Sequence, residues 1–166
     1  MLFITGIPGS GKTSFGNWLQ ATQGYYHFDM EADLRDRHFK RLWSDGFDTD
    51  DYSAFIAEVQ KLGSEVVLTW GYPEQAILLA KRTARLGVLS FWFGGDLETA
   101  RRAWLRRERL PEDYERTSLF EVICGQFTES DVVDVFGDRI VCAVTGAGHT
   151  TPEEIWSQIQ ANCGSS

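Results

Sequence analysis

Cysteine and proline are scarce in this chain of 166 residues, with three of the first and four of the second. Cys124, Cys142 and Cys163 lie far apart and lack metal-ligand spacing, which excludes a disulfide scaffold and leaves core packing as their expected role. No apolar run approaches the roughly 20 residues that a membrane-spanning helix needs. The opening run Met1-Leu2-Phe3-Ile4-Thr5 has no basic flank and stops at Gly6, so no signal peptide is expected. Positive charge is also in deficit: 16 Lys and Arg stand against 24 Asp and Glu, giving a formal net charge of -8 and a pI near 4.8. That average field repels a phosphate backbone and disfavours broad nucleic-acid binding, although a local basic patch stays compatible with it. Internal repeats, low-complexity stretches and linkers are missing too. What is present is ordinary for a globular domain, 43% hydrophobic and 24% charged residues. A chain of this length buries a full core unaided. The expectation is a single cytoplasmic domain over 1–166, away from membranes, monomeric or a simple homo-oligomer.

Short apolar runs alternate with helical patterns. Strands are expected at Leu2–Thr5, Tyr25–Phe28, Val66–Trp70, Val88–Phe93 and Ile140–Thr145. Between them, helical stripes are carried by Phe15, Trp18 and Leu19, by Leu34, His38 and Leu42, and by Ile77, Ala80 and Ala84. Leu97, Ala100 and Trp104 form the next, and Leu119, Ile123 and Phe127 another. Thr151-Pro152-Glu153-Glu154 opens a last helix with an N-cap, a Pro at the first helical position and a capping-box Glu. Strands spaced by helices predict an α/β fold, a parallel sheet covered on both faces.

One motif dominates. Gly6-Ile7-Pro8-Gly9-Ser10-Gly11-Lys12-Thr13 satisfies G-x-x-x-x-G-K-S/T, with a strand directly before it and a helix directly after. Glycines let successive N–H groups turn inward onto phosphate oxygens, and the helix adds its positive end, including Ser14 in the first turn. Lys12 supplies a point charge for the outer phosphates, and the Thr13 hydroxyl suits Mg²⁺. The motif predicts binding of a nucleoside triphosphate, with or without chemistry. No Asn-Lys-x-Asp run for guanine is present. The third strand ends Leu68-Thr69-Trp70-Gly71 without an acid, so the metal-binding and catalytic carboxylates come from elsewhere or are absent. Asp29, just past the second strand, is placed to hold Mg²⁺ or to take a proton from an acceptor; the alternative is a helix N-cap. In extended chain Glu31 points to the same side as Asp29. Asp33 reads as a first-turn dipole partner of the next helix.

Three segments carry a family resemblance: the loop Gly6 to Thr13, the run Phe28-Asp29-Met30-Glu31 and the strand end Leu68-Thr69-Trp70-Gly71. They resemble the small P-loop kinases of the shikimate, gluconate and nucleoside-monophosphate kinase type, with zeta-toxin-like and polynucleotide kinases as neighbours. The resemblance implies a three-layer α/β/α P-loop fold, five parallel strands in the order 2-3-1-4-5, a short lid, and ATP·Mg²⁺-dependent transfer to a small acceptor. It also departs from the family. Ile56 in Phe55-Ile56-Ala57-Glu58 stands where shikimate kinases carry an Arg, and Glu74 in Gly71-Tyr72-Pro73-Glu74 where nucleoside-monophosphate kinases do. Trp70 and Tyr72 are candidates to stack on a flat acceptor, with Gly71 and Glu31 as further acceptor-binding candidates; sheet-edge packing is the alternative for both rings and the preferred one for Tyr72. Arg35 is a candidate grip for an anionic acceptor.

Five of the sixteen Lys and Arg residues fall between Arg101 and Arg109. Arg102, Arg106 and Arg109 share a helical face, and Arg107-Glu108-Arg109-Leu110-Pro111 resembles the start of the family's lid, expected around 105–117. A solvated helix with Glu98 and Glu108 as partners, or a strip for nucleic-acid phosphates, are the alternatives. In the resembled family the loop after the fifth strand passes the adenine, which singles out Gly146 and Gly148; His149 reads as a loop residue. Three functions remain open: a metabolite kinase, a 5′-hydroxyl polynucleotide or sugar-nucleotide kinase, and a nucleotide-binding switch with little turnover.

Overall fold

The computed structural model describes residues 1–111 and 119–163. In chain order the elements are β1 (Leu2–Gly6), α1 (Lys12–Thr22), β2 (Tyr26–Asp29), α2 (Met30–Asp33), α3 (Arg37–Thr49), α4 (Ser53–Gln60), β3 (Val66–Thr69), α5 (Pro73–Thr83), β4 (Leu89–Gly95), α6 (Leu97–Arg107), α7 (Leu119–Cys124), α8 (Glu129–Phe136), β5 (Ile140–Thr145), β6 (Gly148–His149) and α9 (Pro152–Cys163).

The sheet runs β2-β3-β1-β4-β5-β6. Its first five strands are parallel and follow the expected order. The sixth, antiparallel to β5, is an addition to the expected five: Thr145-Gly146-Ala147-Gly148 folds as a hairpin turn, where the sequence reads as open loop. β1 and β3 are buried along their whole length, which is why they read as unbroken apolar runs. β4 shows how the layers form. Phe93 meets Phe15 of α1 at 5.3 Å on one face, while Trp92 meets Phe136 of α8 at 5.5 Å on the other. α9 joins the α1 layer through a 3.1 Å bond from Trp18 Nε1 to Glu153. Among the described residues no helix is long and apolar enough to cross a membrane.

Two expected helices are broken, each for a local reason. α2 stops at Asp33, and Asp36 caps a separate α3 by accepting the His38 amide at 2.8 Å, so Leu34 lies in the turn after α2 while Leu42 lies on α3. α7 ends at Cys124, because Thr128 and Asp131 build a reciprocal capping box that starts α8 afresh. Phe127 nevertheless packs on Trp92, centroids 4.9 Å apart. The Thr151 and Glu154 box that opens α9 forms as expected. Strand ends shift by a residue or two: β2 takes in Asp29, β3 stops before Trp70, and β4 extends to Gly95.

Candidate functional site at the phosphate loop

The turn between β1 and α1 depends on its glycines. Gly6 has φ +142° and a Cβ there would run into the Phe93 carbonyl; Gly9 has φ +75° and a Cβ would run into the Ala100 carbonyl. No other residue fits backbone so close to β4 and α6. The loop wraps Lys12, whose ammonium donates to the Ile7 carbonyl at 2.8 Å, the Gly6 carbonyl at 3.1 Å and the Ser10 hydroxyl at 3.4 Å. Ser10 in turn donates to the Ile7 carbonyl at 2.8 Å. Burial drives the Lys12 pKa down from 10.5 to about 7, and the nearby Arg107 pushes the same way against Glu31, Cys124 and Asp29.

Thr13 donates to the Asp29 carboxylate at 3.2 Å. Asp29 both ends β2 and caps α2: its other oxygen accepts the Glu31 amide at 2.9 Å, and its own amide donates to Asp33 at 2.8 Å. The cap and the bond to Thr13 therefore coexist. Asp33 is no simple dipole partner, since it reaches back to that amide, and burial raises its pKa. The chain turns into α2 at Met30, so Glu31 reaches the site from a helix rather than from extended chain. β2 is pinned by His27, whose Nδ1 lies 2.9 Å from Asn17 Oδ1 and whose Nε2 lies 2.8 Å from the Thr69 hydroxyl. Burial lowers its pKa, favouring a neutral ring that donates to Asn17 and accepts from Thr69.

These groups open onto a cavity of about 760 Å³. Its floor is the loop, with Pro8, Gly9, Gly11, Lys12, Thr13 and Ser14 exposed to it; Gly6 and Ser10 sit beneath as supports for Lys12. One wall holds Asp29, Glu31, Thr69, Trp70, Gly71 and Tyr72, and the other Ala103, Trp104, Arg107, Glu108, Ile123 and His149. Trp70 is 5% exposed, clamped edge-on by Trp43 at 4.9 Å; Tyr72 is 49% exposed. Both candidates line the cavity, and the more open ring is Tyr72, for which the sequence favours packing.

Several expected residues lie elsewhere. Arg35 is exposed on the turn after α2, and Gly146 on the β5–β6 turn; neither lines the cavity. Arg102, Arg106 and Arg109 are also exposed and away from it, Arg102 being 3.8 Å from Glu98. The arginine at the cavity is Arg107, which follows Ala100 and Trp104 on the inner face of α6 and pairs with Glu108 at 2.9 Å. Extending the apolar stripe by three residues beyond Trp104 would have found it. Residues 112–117 of the expected lid lie outside the described residues. His149 is more than a loop residue: Nε2 donates to the Gly9 carbonyl at 2.7 Å across the loop. Nothing in the sequence signals that bond, which depends on the hairpin.

No group of three or more His, Cys, Asp or Glu that could hold a metal occurs among the described residues. Thr13 and Asp29 do suit Mg²⁺, which takes one or two protein oxygens and completes its shell with phosphate and water.

No family model matches the chain, and no curated protein matches it. Solved structures do. A gluconokinase from Sinorhizobium meliloti 1021 matches with a TM-score of 0.57 and 20% identity, over 96% of this chain and 89% of that one. A shikimate kinase from Bacteroides thetaiotaomicron matches with a TM-score of 0.52 and 16% identity, over 97% and 94%. With the phosphate loop, the strand order and these likenesses together, the chain has the fold of the P-loop small-molecule kinases.

Proposed function

We propose that the protein is a phosphotransferase that moves the γ-phosphoryl of ATP to a hydroxyl or phosphate of a small-molecule acceptor. The observation that carries this reading is the contact between Thr13 and Asp29, 3.2 Å apart beside the buried Lys12, where the phosphate loop meets the wall formed by β2 and β3. In an open α/β sheet ligands sit beyond the carboxyl ends of the strands, and this contact lies there.

The loop amides and Lys12 bind the phosphate tail. On binding, the Lys12 ammonium exchanges the Gly6 and Ile7 carbonyls for phosphate oxygens. Thr13 and Asp29 would hold Mg²⁺, which would supply positive charge against the phosphate tail. Asp29 also orients the acceptor hydroxyl and can accept its proton. Arg107, facing the cavity from α6, stabilises charge on the transferring group. The similar folds of a gluconokinase and a shikimate kinase support a kinase reading, while their acceptors need not be shared.

Lys12→Ala and Asp29→Asn, assayed for phosphate transfer from Mg·ATP to a panel of hydroxyl acceptors, test this directly. Each is expected to lower turnover by about 100-fold or more, as loss of a preorganised charge does. Wild-type rates in both variants would end the proposal.

A further inference from the structure

The two walls of the cavity differ in charge. Among the described residues its two cationic lining residues are Lys12 on the floor and Arg107 on the α6 wall. The wall beyond β2 and β3 has no Lys or Arg among its described residues, and instead carries Asp29 and Glu31 beside Trp70 and Tyr72. Glu31 leans over the chain at Gly71, where a Cβ would run into its Oε1. Its carboxylate has no hydrogen-bond or ion-pair partner among the described residues, although its amide is engaged by Asp29. Tyr72 stands edge-on to Trp70, centroids 6.1 Å apart, with half its surface open.

The basic residues close in sequence are turned away. α3 packs Phe39 and Trp43 inward, Phe39 at 5.0 Å from Phe28 and Trp43 at 5.6 Å from Phe55. That register puts Arg37, Lys40 and Arg41 on the exposed side, and Arg35 is exposed on the turn before it. An anionic acceptor entering beside Asp29 would therefore meet like charge with no countercharge on its own wall among the described residues. A cation would meet a carboxylate that has no hydrogen-bond or ion-pair partner among the described residues, and an open aromatic ring, the combination that recognises ammonium groups.

Resting on the phosphotransferase reading, we infer that the acceptor is a hydroxyl-bearing amine with a flat or apolar body, held by Glu31 and Tyr72, and not a hydroxy acid or a phosphomonoester. The hydroxyl oxygen attacks the γ-phosphorus, the bond to the β–γ bridging oxygen breaks, the hydroxyl proton passes to Asp29, and ADP leaves with the bridging oxygen. The ammonium takes no part in bond exchange. It fixes the direction from which the hydroxyl approaches.

The test uses three matched probes on the full chain: L-phenylalaninol (ammonium), 2-phenylethanol (neutral) and 3-phenyllactate (carboxylate). Each is titrated calorimetrically into protein saturated with Mg²⁺ and the non-hydrolysable analogue AMP-PNP. The expected order of affinity is phenylalaninol, then phenylethanol, then phenyllactate, with about tenfold or more between the ends, the worth of a single ammonium–carboxylate or ammonium–ring interaction. Glu31→Gln, an isosteric change, should collapse the order, and Glu31→Lys should invert it. Phenyllactate binding as tightly as phenylalaninol, an order unchanged in Glu31→Lys, or no binding by any of the three would overturn the inference while AMP-PNP binding leaves the nucleotide site standing. Failure of AMP-PNP itself to bind would instead overturn the phosphotransferase reading, and this inference with it.

Discussion

The floor of the cavity and its α6 wall are made by different means. The floor is contiguous chain, Pro8 to Ser14, and works through backbone: amides, the left-handed Gly9 and Gly11, and one buried lysine. The α6 wall is assembled from three elements far apart in sequence, with Arg107 from α6, Ile123 from α7 and His149 from β6. The floor tolerates little change because its atoms sit against β4 and α6. The wall depends on side chains that can be exchanged, so it is the part that sequence divergence can retune. The bond from His149 to the Gly9 carbonyl is where the two meet.

The largest effect is expected from Gly9→Ala. Its φ of +75° and the Ala100 carbonyl both oppose a Cβ. Left-handed strain of about 1–2 kcal/mol and overpacking of about 1–3 kcal/mol together predict a loss of several kcal/mol in urea denaturation, along with nucleotide binding. Gly146→Ala, with nothing within 4 Å of its Cβ, is the control and should leave the midpoint nearly unmoved. Equal effects at both glycines would mean that the floor is no more constrained than an open turn outside the cavity.

Next comes pH. The Lys12 amine titrates near 7 in the free fold rather than at 10.5. A polyphosphate holds its charged form, so binding takes up a proton above pH 7, and affinity should fall by up to about tenfold per pH unit there. The sign for folding is opposite. Between pH 7 and 10.5 the unfolded chain binds more protons at this group, so its contribution to stability rises with pH across that window. Calorimetry in buffers of different ionisation heat, paired with denaturation at each pH, reads both signs. Nucleotide affinity that stays flat from about pH 7 to 9 would contradict the buried, loop-wrapped lysine.

The smallest expected effect separates the arginines of α6. Arg107→Ala should reduce phosphate transfer by about tenfold, the value of one charge-assisted hydrogen bond, whereas Arg106→Ala should change it less than about twofold. Steady-state kinetics on the two variants would reverse this ranking if the outward face of the helix closed over the phosphates.

Legibility in the sequence follows how local each feature is. The phosphate loop and the α9 cap are readable because each is set by neighbours within a few residues, and the parallel sheet because apolar strand runs alternate with helical stripes along the chain. The division of the α2–α3 stretch is less so, since the Asp36 side chain accepts the His38 amide and starts α3 afresh instead of letting α2 continue. Which arginine faces inward could have been counted from Trp104. That Trp70 is clamped and Tyr72 open could not, because it depends on Trp43, brought in by another helix.

A glycine-rich phosphate-loop turn after the first strand is legible in the sequence alone, because glycine conformational freedom and a following helix act over eight consecutive residues. Only the tertiary structure decided what surrounds that turn. The pairing of β2 with β3 sets Asp29 level with Thr69, and the β5–β6 hairpin carries His149 across to Gly9. Pairings between residues 40 and 140 positions apart are fixed by sheet order and helix packing, and those energies belong to the whole core rather than to any window of the chain.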